Sequence, residues 1–317
     1  MTVLVRAQQL FDEGRQADAI ALVEHAAAAG DSEALFALAN WRMFALYGER
    51  DLPAAHAALA RAAGSGHVDS IRVRAFLIAN GTGCARDPDL ALSLLAGIAS
   101  SDSHAALQVQ FLPQMMAPDL VRAAPRERLS EDPFVELVRG LLTPEERSYV
   151  RTIIAPNLRP SWVINPATGE RIPHPVRTSW GTSFGPTQED LVIHALNCRI
   201  ADATGTAVEM GEPLHILRYQ PGQEYRPHID ALPGVDNQRI RTALVYLNDD
   251  YRGGETTFPE LGLTVRGQAG DALIFHNVTW DGRPDPRTLH AGLPVAEGEK
   301  WLATRWIRQA PYHPWAV

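Results

Sequence analysis

The stretch "GQEYRPHIDALPG", residues 222–234, decides how this chain is read. It leaves a glycine turn, runs through Tyr225 to His228, sets Asp230 two residues further on and closes at Pro233 and Gly234. At a period of two, His228 and Asp230 are expected to project from one side of a strand, spaced as two ligands of one metal ion. From Glu212 onward the runs "LHILRYQ", "TALVYLND", "TTFPEL", "LTVRG", "DALIFHN", "TLHAGLPV" and "WLATRWIRQ" are short, β-branched or aromatic, and separated by Gly, Pro and Asp turns. That is the pattern of an all-β sandwich or barrel, and the lack of crossover helices excludes a doubly wound parallel sheet. A jelly roll fits, a double-stranded β-helix of two facing sheets with room for a ligand at its mouth.

Two ligands do not make a site, and the chemistry asks for a third from a distant strand. His290 in "RTLHAGLPV" is the candidate; His276 in "LIFHNV" is its rival, in a run that reads as a buried strand. Two imidazoles and one carboxylate describe the facial triad that holds Fe(II) and leaves positions open. Zinc accepts the same three ligands with a water in the fourth place, so the triad alone does not name the metal.

The first third of the chain repeats with a period of 36 residues: Arg15, Asp51 and Asp87 align, and with them Ala19, Ala55 and Ala91, then Ala27, Ala63 and Ala99, then Leu35, Ile71 and Leu107. Small residues at fixed positions let paired helices approach, and Gly30 and Gly66 sit where one helix must end and the next begin. The expectation is an all-α helical-repeat solenoid over residues 1–112, a Pro-rich linker over 113–133 and the β domain over 134–317. Two capped helices open that second domain: Thr143 with Glu146 forms a capping box, and Thr187 with Asp190 precedes a helix whose Val192, Leu196 and Ile200 share one stripe.

The 317 residues are 45% hydrophobic and 21% charged, ordinary for a globular chain, with a formal net charge of -8. No broad positive field is available for a phosphate backbone, which argues against a nucleic-acid partner. Cys84 and Cys198 lie far apart without metal or disulfide spacing, and no run reaches the length of a membrane span, so a reducing, cytoplasmic setting without a membrane partner is expected.

Taken together, "RYQPGQEYRPHID", "RIRTALVYLND", "GGETTFPE", "GDALIFHN" and "LHAGLPVAEGEKWLATRWI" resemble the prolyl 4-hydroxylase branch of the 2-oxoglutarate and Fe(II) dependent oxygenases over residues 134 to 310. The pattern "AAGSGHVDS" beside "DLPAAHAALARAA" resembles tetratricopeptide-like repeats of the SEL type over residues 5 to 110. The first resemblance implies His228, Asp230 and His290 as catalytic metal ligands and Lys300, ten residues past the distal His, as the partner of the far carboxylate of 2-oxoglutarate. It also implies Tyr219, Thr256 and Trp306 around that cosubstrate, with O2 as oxidant and ascorbate as reductant. An unpaired carboxylate in an apolar barrel is costly, so a fixed cation such as Lys300 makes physical sense. The implied activity is hydroxylation of a prolyl residue in a peptide or protein, with release of succinate and CO2. Tyr225, Arg239 and Arg177 are the implied substrate contacts, residues 166 to 184 resemble a mobile loop hinged at Pro173, Pro175 and Gly181, and the repeats would recruit the target.

Other readings compete. The oxygenase could act on a non-prolyl residue of a ribosomal peptide or on a free amino acid; the repeats could do all the work beside a dead barrel; or the triad could serve a zinc hydrolase, which would have no use for Lys300. His215, His194, His104 and His67 read as core or surface histidines, "GTGC" at 81–84 as a repeat turn, and Trp162, Trp180, Trp280 and Trp315 as packing or groove aromatics.

Overall fold

The computed structural model describes residues 1–115, 124–164, 171–173 and 176–315. Two compact units are present: Met1–Met116 with Pro186–Ala195 and Trp315–Val317, and Ala117–Gly185 with Leu196–Pro314.

The helical unit contains α1 (Val3–Asp12), α2 (Gln16–Ala28), α3 (Ser32–Phe44), α4 (Leu52–Gly64), α5 (Val68–Asn80), α6 (Pro88–Ile98) and α7 (Ser103–Met115). Helices α2, α4 and α6 start at 16, 52 and 88, keeping the 36-residue step. Asp51 and Asp87 cap the second and third of these through their side chains; Arg15 makes no such bond. The repeated positions Ala19, Ala55 and Ala91 are fully buried, as are Val23, Leu59 and Leu95 one helical turn later. Gly30 and Gly66 have positive φ values of 95° and 84°, the left-handed geometry that ends α2 and α4 and that residues with a Cβ adopt at a cost. The third repeat lacks that glycine. Its turn is one residue shorter, with Asp102 capping α7 where the period calls for residue 103, so Ala34, Ser70 and Ala105 occupy one buried layer. The expected alignment of Leu35, Ile71 and Leu107 therefore fails at its last member: Leu107 is shifted by one position and faces solvent.

Helix α7 runs through Pro113, where the sequence suggested the linker begins, and Arg126–Ser130, also placed in the linker, form strand β1 paired antiparallel with β2 (Val135–Val138). The rest of the second unit is α8 (Pro144–Ile154), β3 (Arg159–Pro160), β4 (Trp162–Ile164), β5 (Arg171–Pro173), β6 (Trp180–Ser183), α9 (Leu191–Thr204), β7 (His215–Tyr219), β8 (Tyr225–His228), β9 (Arg239–Tyr246), β10 (Arg252–Gly253), β11 (Thr256–Phe258), β12 (Leu263–Val265), β13 (Ala272–His276), β14 (His290–Gly292), β15 (Val295–Glu297) and β16 (Lys300–Arg308). The eight-stranded sheet has the order β1-β2-β13-β9-β16-β7-β6-β3, the four-stranded sheet β12-β11-β14-β8, and the pairings are antiparallel. This is the expected double-stranded β-helix, with Leu217, Tyr219, Leu244, Tyr246, Phe258, Phe275 and Leu302 in the core between the sheets.

Thr143 and Glu146 form the anticipated capping box on α8, and Glu146 is shared with the buried Arg199 of α9 at 2.6 Å. Helix α9 starts later than expected: Asp190, not Thr187, accepts from the Ile193 N–H and caps it. Gly181, expected as a hinge, lies instead within β6 opposite Leu217. Of the expected mobile loop, residues 166–184, β5 with its Pro173 pairs antiparallel with β4, which precedes the loop; residues 166–170 and 174–175, Pro175 among them, lie outside the described residues.

Candidate active site

Antiparallel pairing places His228, at the end of β8, directly across from His290, at the start of β14. Long-range register therefore joins two residues 62 positions apart in sequence. Asp230 differs from expectation: β8 ends at His228, and Asp230 occupies the bend beyond it, which turns its carboxylate toward both rings. The His228 Nε2 lies 3.6 Å from Asp230 Oδ1, and the His290 Nε2 3.6 Å from Asp230 Oδ2. One ligand atom from each of the three residues falls within 4.8 Å of the others, and this is the cluster of metal-binding groups found among the described residues. His276, the rival, accepts from Arg241 Nε at 3.1 Å and stacks on Phe134, away from the cluster.

Each ring is oriented by its backbone. His228 Nδ1 donates to the Arg226 carbonyl at 2.8 Å, and His290 Nδ1 to the Thr288 carbonyl at 3.0 Å, which leaves both Nε2 atoms as acceptors for a metal. Burial, with His290 nearby, lowers the His228 pKa to about 4, so the ring is neutral at pH 7. Burial pushes the Asp230 carboxyl up, but His290, His228 and the Thr242 hydroxyl outweigh it and hold it below the usual carboxylate range. Two imidazoles presenting Nε2 and one carboxylate fit a divalent cation of the Fe(II) type, with coordination positions to spare. Tyr225 stacks on His228 with ring centroids 3.5 Å apart, and Phe275 meets His290 edge-on at 4.8 Å, packing that fixes both ring planes.

Opposite the cluster, β16 turns Lys300, Leu302, Thr304 and Trp306 into the same cavity, at the period of two expected of a strand. Tyr219 and Leu217 of β7, Leu244 of β9 and Thr256 of β11 complete the walls. The cavity holds about 380 Å³ of empty space, counting its open mouth. Lys300 is buried at its floor, beneath the rings of Tyr219 and Tyr246, and Nζ donates to the Gly254 carbonyl at 2.6 Å. A Cβ on Gly254 would stand 3.1 Å from Val295 and 3.2 Å from the Lys300 stem, so the glycine lets the carbonyl come this close. Burial lowers the Lys300 pKa to about 8, against the opposing pull of Glu255. Thr304 Oγ1 and Trp306 Nε1 are buried in this wall with no hydrogen-bond partner among the described residues. A cation without a carboxylate and two orphaned polar atoms are what a bound dicarboxylate would satisfy.

The remaining sequence candidates lie around the mouth or away from it. Tyr225 lines the cavity, and Arg177 lies over its ring at 5.5 Å while donating to Ser161. Arg239 grips Glu212 through two hydrogen bonds, 2.6 and 2.8 Å, and covers Trp306 at 4.0 Å, which commits its guanidinium to the fold. His67 caps α5, His104 and His194 bond Asp190 and Glu189, and the half-buried His215, its pKa lowered to about 3 by desolvation, bonds Ser183. The sequence reading missed Thr242 and Asn277, both fully buried behind Asp230. A threonine heading the apolar run "TALVYL" was the signal available.

The profile of the 2OG-Fe(II) oxygenase superfamily matches residues 214–308, which span β7 to β16. The chain is 37% identical over 202 residues to prolyl 4-hydroxylase 1 of Arabidopsis thaliana, a match covering 58% of this chain and 71% of that protein. Among solved structures it is similar to a viral collagen prolyl hydroxylase from Paramecium Bursaria Chlorella virus-1, with 28% identity, a TM-score of 0.46, and coverage of 56% of this chain and 96% of that one. A Sel1 repeat protein from Oxalobacter formigenes matches with 20% identity, a TM-score of 0.32, and coverage of 34% of this chain and 85% of that one. With its triad built across β8 and β14 and that degree of identity to a prolyl 4-hydroxylase, the chain belongs to the prolyl 4-hydroxylase family of 2-oxoglutarate and Fe(II) dependent oxygenases.

Proposed function

We propose that this chain hydroxylates a prolyl residue of a peptide or protein, consuming 2-oxoglutarate and O2 and releasing succinate and CO2. One observation carries the reading: a triad of two imidazoles and one carboxylate faces a buried lysine across a single cavity. His228, Asp230 and His290 would hold Fe(II), and Lys300 would pair with the far carboxylate of 2-oxoglutarate, with Tyr219, Thr256 and Trp306 around it. The bound metal and cosubstrate supply the oxidising chemistry. The protein supplies placement: the carbonyls of Arg226 and Thr288 hold the ligand rings, Lys300 and the hydroxyls orient the dicarboxylate, and the apolar walls from Leu217, Leu244 and Leu302 keep water out.

The prolyl assignment draws its support from the identity to prolyl 4-hydroxylase 1. Tyr225 and Arg177 at the cavity mouth are the proposed substrate contacts; Arg239, engaged by Glu212, would act by steadying Trp306. The helical repeats are proposed to recruit the protein target, ascorbate to serve as reductant, and the cytoplasm as the working compartment, in keeping with two free cysteines. No described helix is long and apolar enough to cross a membrane.

The test has two stages. Anaerobic Fe(II) and 2-oxoglutarate should give the weak visible charge-transfer band of an iron-bound 2-oxo acid. Proline-containing peptides incubated aerobically should then gain the mass of one oxygen atom, localised to Pro by fragmentation. Absence of the band with retained zinc would overturn the oxygenase reading, and a shift localised to another residue would overturn the prolyl one.

A further inference from the structure

Behind the triad lies a hydrogen-bond chain that touches no cosubstrate wall. The Thr242 hydroxyl donates to Asp230 Oδ2 at 2.7 Å, and Asn277 Nδ2 donates to Thr242 Oγ1 at 2.9 Å. Both residues are fully buried, Thr242 on β9 and Asn277 one residue past β13. Asn277 is fixed by its own backbone: its N–H donates to the Ile240 carbonyl at 3.0 Å and its carbonyl accepts from Asp285 at 3.0 Å. Asn277 Oδ1 also stands 3.3 Å from Thr242 Oγ1, so the Thr242 proton has two acceptors in range.

The choice between them follows from donor and acceptor counts. A hydroxyl has one proton and two lone pairs, and the Asn277 amide hydrogen occupies a lone pair. The proton then goes to the shorter, anionic acceptor, Asp230, because a charge-assisted bond is the stronger one. A buried Thr and Asn cost stability unless paired, and a Val in the same space would not, so the pair is explained by what it does to Asp230.

We propose that Asn277 and Thr242 are positioning residues of the metal site, with Asn277 setting the direction of the Thr242 hydroxyl and Thr242 engaging Asp230 Oδ2. Oδ1 is thereby offered as a single ligand atom, and the carboxylate is kept from closing on the metal through both oxygens, which would consume a position needed by the cosubstrate or O2. The inference rests on the reading of the triad as a divalent-metal site.

The test is Mn(II) affinity of the full chain, read from the electron paramagnetic resonance of free Mn(II) without 2-oxoglutarate, with an apo melting curve for each variant. Thr242→Val should weaken Mn(II) by about tenfold or more, the range typical of lost partners behind a ligand. Thr242→Ser, which keeps the hydroxyl, should remain within about twofold, and Asn277→Ala added to Thr242→Val should weaken binding no further, since the two act in series. Wild-type affinity in Thr242→Val, or a full independent loss from Asn277→Ala in that background, overturns the relay while leaving the metal site standing. Should Thr242→Val not fold, Asn277→Ala alone decides, and unchanged Mn(II) affinity overturns the relay. No Mn(II) binding by the wild type would overturn the metal-site reading and the relay with it.

Discussion

The helical unit and the β unit encode their structures on different length scales. In the helical unit each helix meets its neighbour in sequence, so a 36-residue period with capped starts suffices to build the stack. In the β unit β9 pairs with β16 and β14 with β8, so every functional group depends on partners far along the chain. The contrast teaches where damage spreads: a local fault in a repeat costs stability in proportion, whereas loss of one group in the β unit removes a function assembled from several strands.

The largest effect expected is at His290. His290→Ala deletes a ligand outright, and Fe(II) affinity measured by anaerobic titration should fall by more than about 100-fold, the upper end of what lost outer partners cost. The helical unit should keep its circular dichroism. A variant that also lost that helical signal would break the contrast between the units.

Lys300→Ala comes next. Leaving a buried carboxylate without its cation costs about 3 kcal/mol, or roughly 100-fold in 2-oxoglutarate affinity, with Fe(II) binding little changed. A pH series sharpens this, because the Lys300 pKa without ligand is about 8. The charged lysine binds the dicarboxylate, so affinity should weaken as pH rises through about 8. The sign for folding is opposite: the folded lysine has a pKa below its ordinary 10.5, so the unfolded chain binds more protons between about 8 and 10.5 and apo stability from this group rises with pH there. Affinity independent of pH from 7 to 9.5 would show that Lys300 does not carry the charge.

The smallest effect is in the repeats. Asp51→Ala removes the bond from the Asp51 side chain to the Ala54 N–H at 2.9 Å and should cost about 1 kcal/mol of helical-unit stability with no change in 2-oxoglutarate affinity. A cost well above that would show that the repeats unfold as one cooperative block rather than repeat by repeat.

His228, Asp230 and His290 were legible as a candidate triad from residue type and strand spacing, because a metal needs particular side chains, whereas Lys300 was named only through the resemblance to the prolyl 4-hydroxylase branch. Asp230 was assigned to a strand and lies past its end, since a period of two does not reveal where pairing stops. Leu107 was placed one position out of register because the third repeat turn omits the glycine that the first two use. Thr242 left a signal, a polar residue heading an apolar run, but nothing in the sequence announced Asn277 as its partner or Asp230 as its target.

The sequence by itself determined the helical repeats, the β-rich second part and the residue types of the triad, because helix period, strand alternation and turn residues act over a few positions. Only the tertiary structure decided that His228 stands across from His290, that Lys300 bonds Gly254 beneath two tyrosine rings, and that Arg239 is claimed by Glu212. Those are contacts between distant segments, set by sheet register and burial, and no local pattern of residues specifies which distant groups will meet.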